Sequence, residues 1–382
     1  MQGQTSSSAG TYPLAARAAR PEGTRIRVRD LEIGGREFAV IAGPCSVESS
    51  AQVHHIVGAV AGAGAAAFRA GAYKPRSSPY AFQGLGADGL RILDEVARPV
   101  LPVVSEVMDA AQMAEAAAAV DVIQIGARNM HNTTLLRAAA ASGRPVLLKR
   151  GLAATVEELL LAAEYILVHG NPDVILCERG IRSFDKATRN TTDLASVALL
   201  KRLTHLPVLL DPSHATGRAD LVAPMAAAAL AAGADGLLIE VHHEPRRSWS
   251  DADQALGCED FDALMRDLTA RAPLFGRMIR MPEAPGAEAL TRCRLAIDAI
   301  DDALVALLAD RVRVARTTAG LKQSLSLPIH APDRERDVLD RLDRLDTTLP
   351  PDARRQIFRA IMEATLAAEH AMGAPADAAV HH

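Results

Sequence analysis

The chain has 382 residues, 49% of them hydrophobic and 23% charged, with a net charge of −4 and a pI of about 6.3. That balance suits a globular enzyme of two domains, and it offers no basic field toward nucleic acid or an anionic membrane. Aromatics at 3% leave few stacking platforms for bases, and the longest apolar stretches are far too short to span a bilayer.

Residues 1–25 open Ser-, Ala- and Arg-rich without an apolar core and read as a disordered tail, not a signal peptide. Between Ile26 and Ala42 a Gly34-Gly35 turn separates two alternating stretches, which predicts a hairpin leading into the first strand. Eight short apolar runs follow, near residues 37–43, 66–70, 100–105, 121–126, 145–149, 173–178, 206–211 and 235–240. Alanine- and leucine-rich segments with helical spacing, such as Asp109–Ala119 and Thr155–His169, lie between them. A strand-then-helix unit repeated over residues 26–280 predicts an α/β fold, a (β/α)8 TIM barrel whose active face is built from the C-terminal strand ends.

The composition breaks at 281–287, a linker, and residues 288–372 read as three helices before a second disordered tail at 373–382. In the first, over 288–324, Leu290, Cys293, Ile297, Ile300, Leu304 and Leu307 recur at three- and four-residue steps. At ~1.5 Å per residue this helix is on the order of 50 Å long, too long for one small domain to cover, so a homodimer or homotetramer is expected. The others lie near 333–346 and 351–371, the last opened by Pro351. Cys45, Cys177, Cys258 and Cys293 have no paired spacing, as expected of free thiols in the cytoplasm.

The strand ends carry the chemistry. Cys45, His214, Glu240 and Asp251 offer a thiolate, an imidazole and two carboxylates, a set suited to one divalent ion of the Mn, Fe, Co or Zn class. Arg69, Arg128, Lys149 and Arg179 end four other strands, and cations converging there call for an anion carrying carboxylate and phosphate. The Lys74-Pro75-Arg76-Ser77 turn offers a second phosphate site. Glu106 and Lys149 are candidates for moving water protons, and His242 is expected to orient Glu240 or a bound water.

Ala-Gly-Pro-Cys45-Ser-Val-Glu48-Ser, Lys74-Pro75-Arg76-Ser77-Ser78-Pro79, Gln124-Ile-Gly-Ala-Arg128-Asn129-Met130, Cys177-Glu178-Arg179-Gly180-Ile-Arg182 and Leu210-Asp211-Pro-Ser-His214 are motifs of a known family. Over about Ile26 to Leu268 the chain resembles the 3-deoxy-D-arabino-heptulosonate 7-phosphate (DAHP) synthases, in the subgroup close to the octulosonate 8-phosphate synthases. The resemblance implies that Cys45, His214, Glu240 and Asp251 hold the metal and that Arg69, Arg128, Lys149 and Arg179 hold phosphoenolpyruvate. Lys74, Pro75, Arg76 and Ser77 would hold erythrose 4-phosphate. The octulosonate enzymes carry Asn where Arg76 stands, which favours the four-carbon aldose here. Ala70 replaces the usual Gly, and His131-Asn-Thr-Thr134 replaces an aromatic or apolar stretch.

On the long helix Arg311 and Lys322 project from nearly one face, while Arg294 lies roughly 100° away. With Arg334 and Glu335 on the second helix and Thr365 and Glu369 on the third, residues 288–372 resemble the all-helical, intertwined-dimer chorismate mutases. By that resemblance Arg294 reaches into the partner's site, Arg311 and Arg334 bind the two carboxylates of chorismate, Lys322 contacts the ether oxygen and Glu335 accepts from the hydroxyl. Two positions depart: Ala331 stands for the usual Asp, and Glu369 for the usual Gln, where a carboxylate would repel the ether oxygen unless protonated. The expectation is a bifunctional enzyme of aromatic amino-acid biosynthesis. A chorismate- or prephenate-sensing regulatory module, or a purely structural dimer module, stays open for the helical part.

Overall fold

The structure, a computed structural model, describes residues 10–76, 78–281, 287–328, 332–345 and 348–370, with the backbone alone at 287–289, 292, 369 and 370. The chain divides into two compact units, Met1–Ala299 and Ile300–His382, so the division falls within the long helix, later than the expected linker, of which 282–286 lie outside the described residues.

In the first unit a two-stranded antiparallel hairpin, β1 (Ile26–Val28) and β2 (Leu31–Ile33), precedes eight parallel strands. These are β3 (Ala39–Gly43), β4 (Ala67–Arg69), β5 (Val103–Val107), β6 (Val122–Ile125), β7 (Val146–Lys149), β8 (Val174–Glu178), β9 (Val208–Leu210) and β10 (Gly236–Glu240). They pair in chain order, and β10 closes the barrel onto β3. The connections carry α1 (Ser50–Gly62), α2 (Ala87–Ile92), α3 (Met113–Ala119), α4 (Thr133–Ala141), α5 (Val156–Val168), α6 (Leu194–Leu203), α7 (Pro212–Thr216) and α8 (Val222–Ala231), and α9 (Cys258–Arg271) follows β10. The expected TIM barrel is present.

Strand alternation builds two cores. Along β3, Ala39 and Ile41 face the barrel interior with Val104, Val122, Leu147 and Leu238, while Val40 and Ala42 face the shell beneath the helices. The helices α1, α4, α5, α6 and α7 start on side chains that accept from their first N–H groups. In α5 the backbone N–H of Glu158 donates to Thr155 Oγ1 at 3.1 Å and that of Thr155 donates back to Glu158 Oε2 at 2.7 Å.

Three expectations need correction. The hairpin turns at Arg29-Asp30, with Arg29 at φ 58°, not at Gly34-Gly35. Gly34, at φ 97°, answers a different constraint: a Cβ there would lie 2.3 Å from the Thr24 carbonyl oxygen. The third barrel strand begins at Val103 because Pro102 has no N–H to give the ladder, and it runs to Val107, so Glu106 lies within the strand opposite Gln124. Residues 10–25, expected in a disordered tail, are packed. Tyr12, Ala15 and Ala16 are buried, the backbone N–H groups of Leu14 and Ala15 donate to the Glu164 carboxylate at 2.9 and 2.8 Å, and the His205 ring bridges Thr24 Oγ1 and the Leu14 carbonyl, each at 2.6 Å.

The three expected helices are α10 (Ala287–Ser324), α11 (Pro332–Asp343) and α12 (Pro351–His370). In the second unit Arg354 Nη1 donates to the carbonyls of Leu342 and Leu345, both at 2.8 Å, satisfying acceptors left over at the end of α11. Leu304, Val305, Leu307, Val314 and Leu321 stay exposed along α10.

Ile26, Val28, Leu31 and Ile33 belong to the interior core, so the hairpin plugs the end of the barrel from which the strands start. Conservation of fold at that end is a matter of stability, while chemistry belongs to the other end. Leu31→Ala should therefore lower unfolding free energy by about 2–5 kcal/mol in denaturant titration, with synthase kcat unchanged in the folded protein.

Candidate active site at the C-terminal mouth of the barrel

Four polypeptide segments meet at the C-terminal ends of β3, β9 and β10. Cys45 follows β3, Glu240 ends β10, and His214 sits in α7, a single turn capped by Asp211. Asp251 lies in the loop after β10 with φ 52° and ψ 42°, the left-handed region that Asp enters more readily than most side chains. Glu48 Oε1 accepts the Trp249 N–H at 2.8 Å, and the Ser46 and Ser250 hydroxyls pair at 2.8 Å. The ligand atoms of Cys45, His214, Glu240 and Asp251 then fall within 4.8 Å of one another.

The donor chemistry of this cluster fits a divalent cation. Asp211 Oδ2 accepts from His214 Nδ1 at 2.7 Å, which turns Nε2 toward the cluster, 3.4 Å from Glu240 Oε1. Burial pushes the His214 imidazole down to about 4, so it is neutral and its Nε2 lone pair is available. Burial would raise Glu240, but His214 once protonated, and Arg69 and Lys74 throughout, hold it below the usual carboxylate range. Burial, reinforced by Glu240, pushes the Cys45 thiol up to about 12. A thiol in that state ionises only when a strong cation arrives, so binding there would release a proton.

The same mouth holds a cavity of about 470 Å³. Lys74, Arg76, Arg128, Lys149 and Arg179 line it, as do His214 and Asp251 of the cluster. Arg128 Nη1 donates to the Pro75 carbonyl at 3.2 Å and Arg76 Nε to the Phe82 carbonyl at 3.1 Å, contacts that leave both charges unneutralised. Lys149 is paired with Asp211 at 2.5 Å. Arg179 differs from these: it is 5% exposed, and its Nη1 is buried with no hydrogen-bond partner. Burial lowers its pKa and Arg189 adds to that, outweighing the opposite pull of Asp211, and among the described residues no ion pair holds it.

Two of the expected anion-binding residues, Arg69 of the strand ends and Lys74 of the turn after β4, lie against the ligand cluster. Arg69 is buried, donates from Nη1 to Glu240 Oε1 at 2.5 Å, and does not line the cavity. Lys74 Nζ lies 3.0 Å from both the sulfur and the carbonyl oxygen of Cys45, on the cation cluster, although its side chain also borders the cavity. His242 meets Glu48 at 3.4 Å and not Glu240. Ser77 lies outside the described residues. Glu178 is fully buried and serves the scaffold: it accepts from Arg150 Nη1 at 2.7 Å, Gly180 N–H at 2.7 Å and Ser196 Oγ at 3.0 Å.

Sequence reasoning assigned no role to Asp211, although an acid three residues before a candidate His ligand was a usable signal. It also missed Arg189 and Gln254. Arg189 Nη1 lies 3.3 Å from Asp251 Oδ1 and donates to Gln254 Oε1 at 2.8 Å, and Gln254 Nε2 donates to Glu240 Oε2 at 2.7 Å. Nothing in their spacing marks them, because the fold alone joins the loops that carry them.

In the helical unit Arg311 Nη1 donates to Thr365 Oγ1, tying α10 to α12. Arg294 and Arg334 are exposed, Lys322 and Glu335 are half-buried, and the Glu369 side chain and Ala331 lie outside the described residues.

A closed parallel barrel with a four-donor cation cluster and a cation-lined cavity at its C-terminal mouth defines a barrel enzyme built to take small anions. The DAHP synthetase I family model matches residues 19–272, and the chorismate mutase type II model matches 293–370. The barrel is similar to a phospho-2-dehydro-3-deoxyheptonate aldolase of Thermotoga maritima, 47% identical over 69% of this chain and 79% of that one. It is also similar to a 2-dehydro-3-deoxyphosphooctonate aldolase of Nitrobacter hamburgensis, 35% identical over 62% of this chain and 88% of that one. A crystal structure of the Thermotoga maritima DAHP synthase superposes with a TM-score of 0.68 at 46% identity, covering 70% of this chain and 78% of the other. The chain belongs to the DAHP synthetase I family. The mutase domain that follows its barrel makes it a bifunctional enzyme of aromatic amino-acid biosynthesis, both transferase and isomerase.

Because Arg150 is the counter-charge of a fully buried carboxylate, Arg150→Met should destabilise the barrel by about 3–5 kcal/mol. A denaturant midpoint within error of wild type would show that Gly180 and Ser196 suffice for Glu178.

Proposed function

We propose that the barrel condenses phosphoenolpyruvate with erythrose 4-phosphate, giving DAHP and inorganic phosphate, with one divalent ion held by Cys45, His214, Glu240 and Asp251. The observation that carries this reading is the sharing of one cavity: His214 and Asp251 of the cluster open into the same space as Lys149, Arg179, Arg128 and Arg76. When bound, the ion supplies Lewis acidity toward the aldehyde oxygen.

The chain's own side chains do the rest. Arg128, Lys149 and Arg179 hold the carboxylate and phosphate of phosphoenolpyruvate, and Arg69 adds its charge while committed to Glu240. Lys74, Pro75, Arg76 and Ser77 hold the aldose, which fixes its aldehyde carbon against C3 of phosphoenolpyruvate and supplies proximity. C3 bonds to that carbon, water adds at C2, and the C2–O bond to phosphate breaks. Glu106 takes a proton from the water, and Lys149 is placed to deliver one to the new hydroxyl.

The helical domain rearranges chorismate to prephenate, with Arg311, Lys322, Arg334, Glu335 and Glu369 of one chain and Arg294 of a second around each substrate. The exposed leucines and valines of α10 support a homodimer or higher homo-oligomer. Unpaired cysteines and the lack, among the described residues, of any helix long and apolar enough to cross a membrane support a cytoplasmic location.

Chelation should abolish phosphoenolpyruvate consumption and Mn²⁺ should restore it with erythrose 4-phosphate. Restoration with arabinose 5-phosphate instead would overturn the substrate assignment. Arg76→Ala should raise the KM for erythrose 4-phosphate at least about tenfold, as loss of a charge-assisted phosphate contact requires, with the KM for phosphoenolpyruvate little changed. In the full chain, Arg311→Ala should lower mutase kcat/KM by about 10²–10³-fold with synthase activity retained. Unaltered chorismate turnover in that variant would remove Arg311 from the mutase site.

A further inference from the structure

Glu106 is the one acid on the cavity wall outside the cation cluster, and among the described residues it has no ion-pair partner although cations surround it. Two neighbours on β6 and just beyond it account for its placement. Gln124, its cross-strand partner and 3% exposed, donates from Nε2 to Glu106 Oε2 at 3.1 Å. Gly126, two residues on, presents bare backbone to the same carboxylate. A Cβ at 126 would lie 1.9 Å from Glu106 Oε1, 2.7 Å from its Cδ and 3.2 Å from Oε2.

The backbone at 126 does not itself call for glycine: φ −70° and ψ 159° are open to any residue. The three heavy atoms nearest such a Cβ all belong to the Glu106 carboxyl group. Glycine at 126 thus leaves the room that the Glu106 carboxyl group fills.

We propose that Gly126 and Gln124 are positioning residues that seat the Glu106 carboxylate facing the substrate cavity and keep it out of an ion pair. This inference rests on the reading of Glu106 as the group that takes the water proton, and general acid–base groups of that kind contribute about 10²–10⁴-fold to rate. With a methyl group at 126, the carboxylate must rotate away, while the cations that bind both substrates stay in place.

The experiment is a double-mutant cycle in the full-length, Mn²⁺-loaded enzyme, with kcat, both KM values and melting temperature measured for Gly126→Ala, Glu106→Ala and the pair. Gly126→Ala alone should lower synthase kcat by about 100-fold, leave both KM values within about twofold and lower the melting temperature. In the Glu106→Ala background the same substitution should change neither kcat nor melting temperature, because nothing remains to collide with. Equal losses in both backgrounds, or a Gly126→Ala enzyme with wild-type kcat, would overturn the inference. Should Glu106→Ala turn over like wild type, the proton role falls, and the melting-temperature cycle alone decides whether Gly126 makes room for Glu106. If Gly126→Ala fails to fold, Gln124→Met supplies the second measurement: kcat should fall with both KM values held, and an unchanged kcat would overturn the role of Gln124.

Discussion

Asp211 holds the two halves of the barrel site together. Its carboxylate is fully buried, and burial alone would raise its pKa, but contacts with His214 and Lys149 hold it well below the usual range. One oxygen accepts from both Lys149 Nζ and His214 Nδ1, and the other accepts the His214 backbone N–H at 2.9 Å, capping α7. A single ionised group thus sets the His214 tautomer, aims its Nε2 at the cation cluster and fixes the lysine that faces the cavity. Losing that charge would disturb the cation cluster and the anion cavity together.

The charges around it follow a rule of pairing by place. A unit charge facing a counter-charge at ~4 Å near a protein surface gains about 4 kcal/mol before desolvation, so buried cations are rarely left alone. Arg69 is matched by Glu240, Lys149 by Asp211 and Arg150 by Glu178. Among the described residues Arg179 makes no ion pair, although Asp211 acts on it from farther off, and Arg76 and Arg128 donate to carbonyl oxygens. Positive charge is therefore matched deep in the barrel, and along the cavity it is matched at Lys149 and Arg189. Arg76, Arg128 and Arg179 have no acid in an ion pair with them among the described residues, which is the surplus the proposed anionic substrates would meet.

Much of this was legible in the chain. A parallel strand buried on both faces is a short apolar run, and its end is where a polar residue first becomes tolerable, so Cys45, His214 and Glu240 could be placed at strand ends from sequence. Depth was not legible. Arg69 and Arg179 both end strands, yet one turns inward onto Glu240 and the other onto the cavity, because in a closed barrel direction follows from shear and pleat. Arg189 and Gln254 were invisible for a related reason, since their partners are brought near only by the loops after β8 and β10. The packing of residues 10–25 was hidden by their composition: Tyr12, Ala15 and Ala16 are too few to stand out among arginines, prolines and threonines, and the segment's contacts on α5 and at the end of α6 come from about 150 residues away or more.

A cavity lined with cations creates a difficulty for any acid that must work inside it. A carboxylate free to rotate would settle against the nearest guanidinium or ammonium, and an ion-paired carboxylate is a weaker proton acceptor. The geometry around Glu106 offers the carboxylate another seat without lowering the number of cations: a strand neighbour supplies a neutral N–H on one oxygen, and a glycine lets the other lie against bare backbone. The same motif then continues directly into Arg128, so one short segment places an unpaired acid and an anion-binding cation on the same wall. With the roles proposed above, substrate binding and proton transfer would make opposite electrostatic demands on this mouth, and the room left at Gly126 is what would reconcile them.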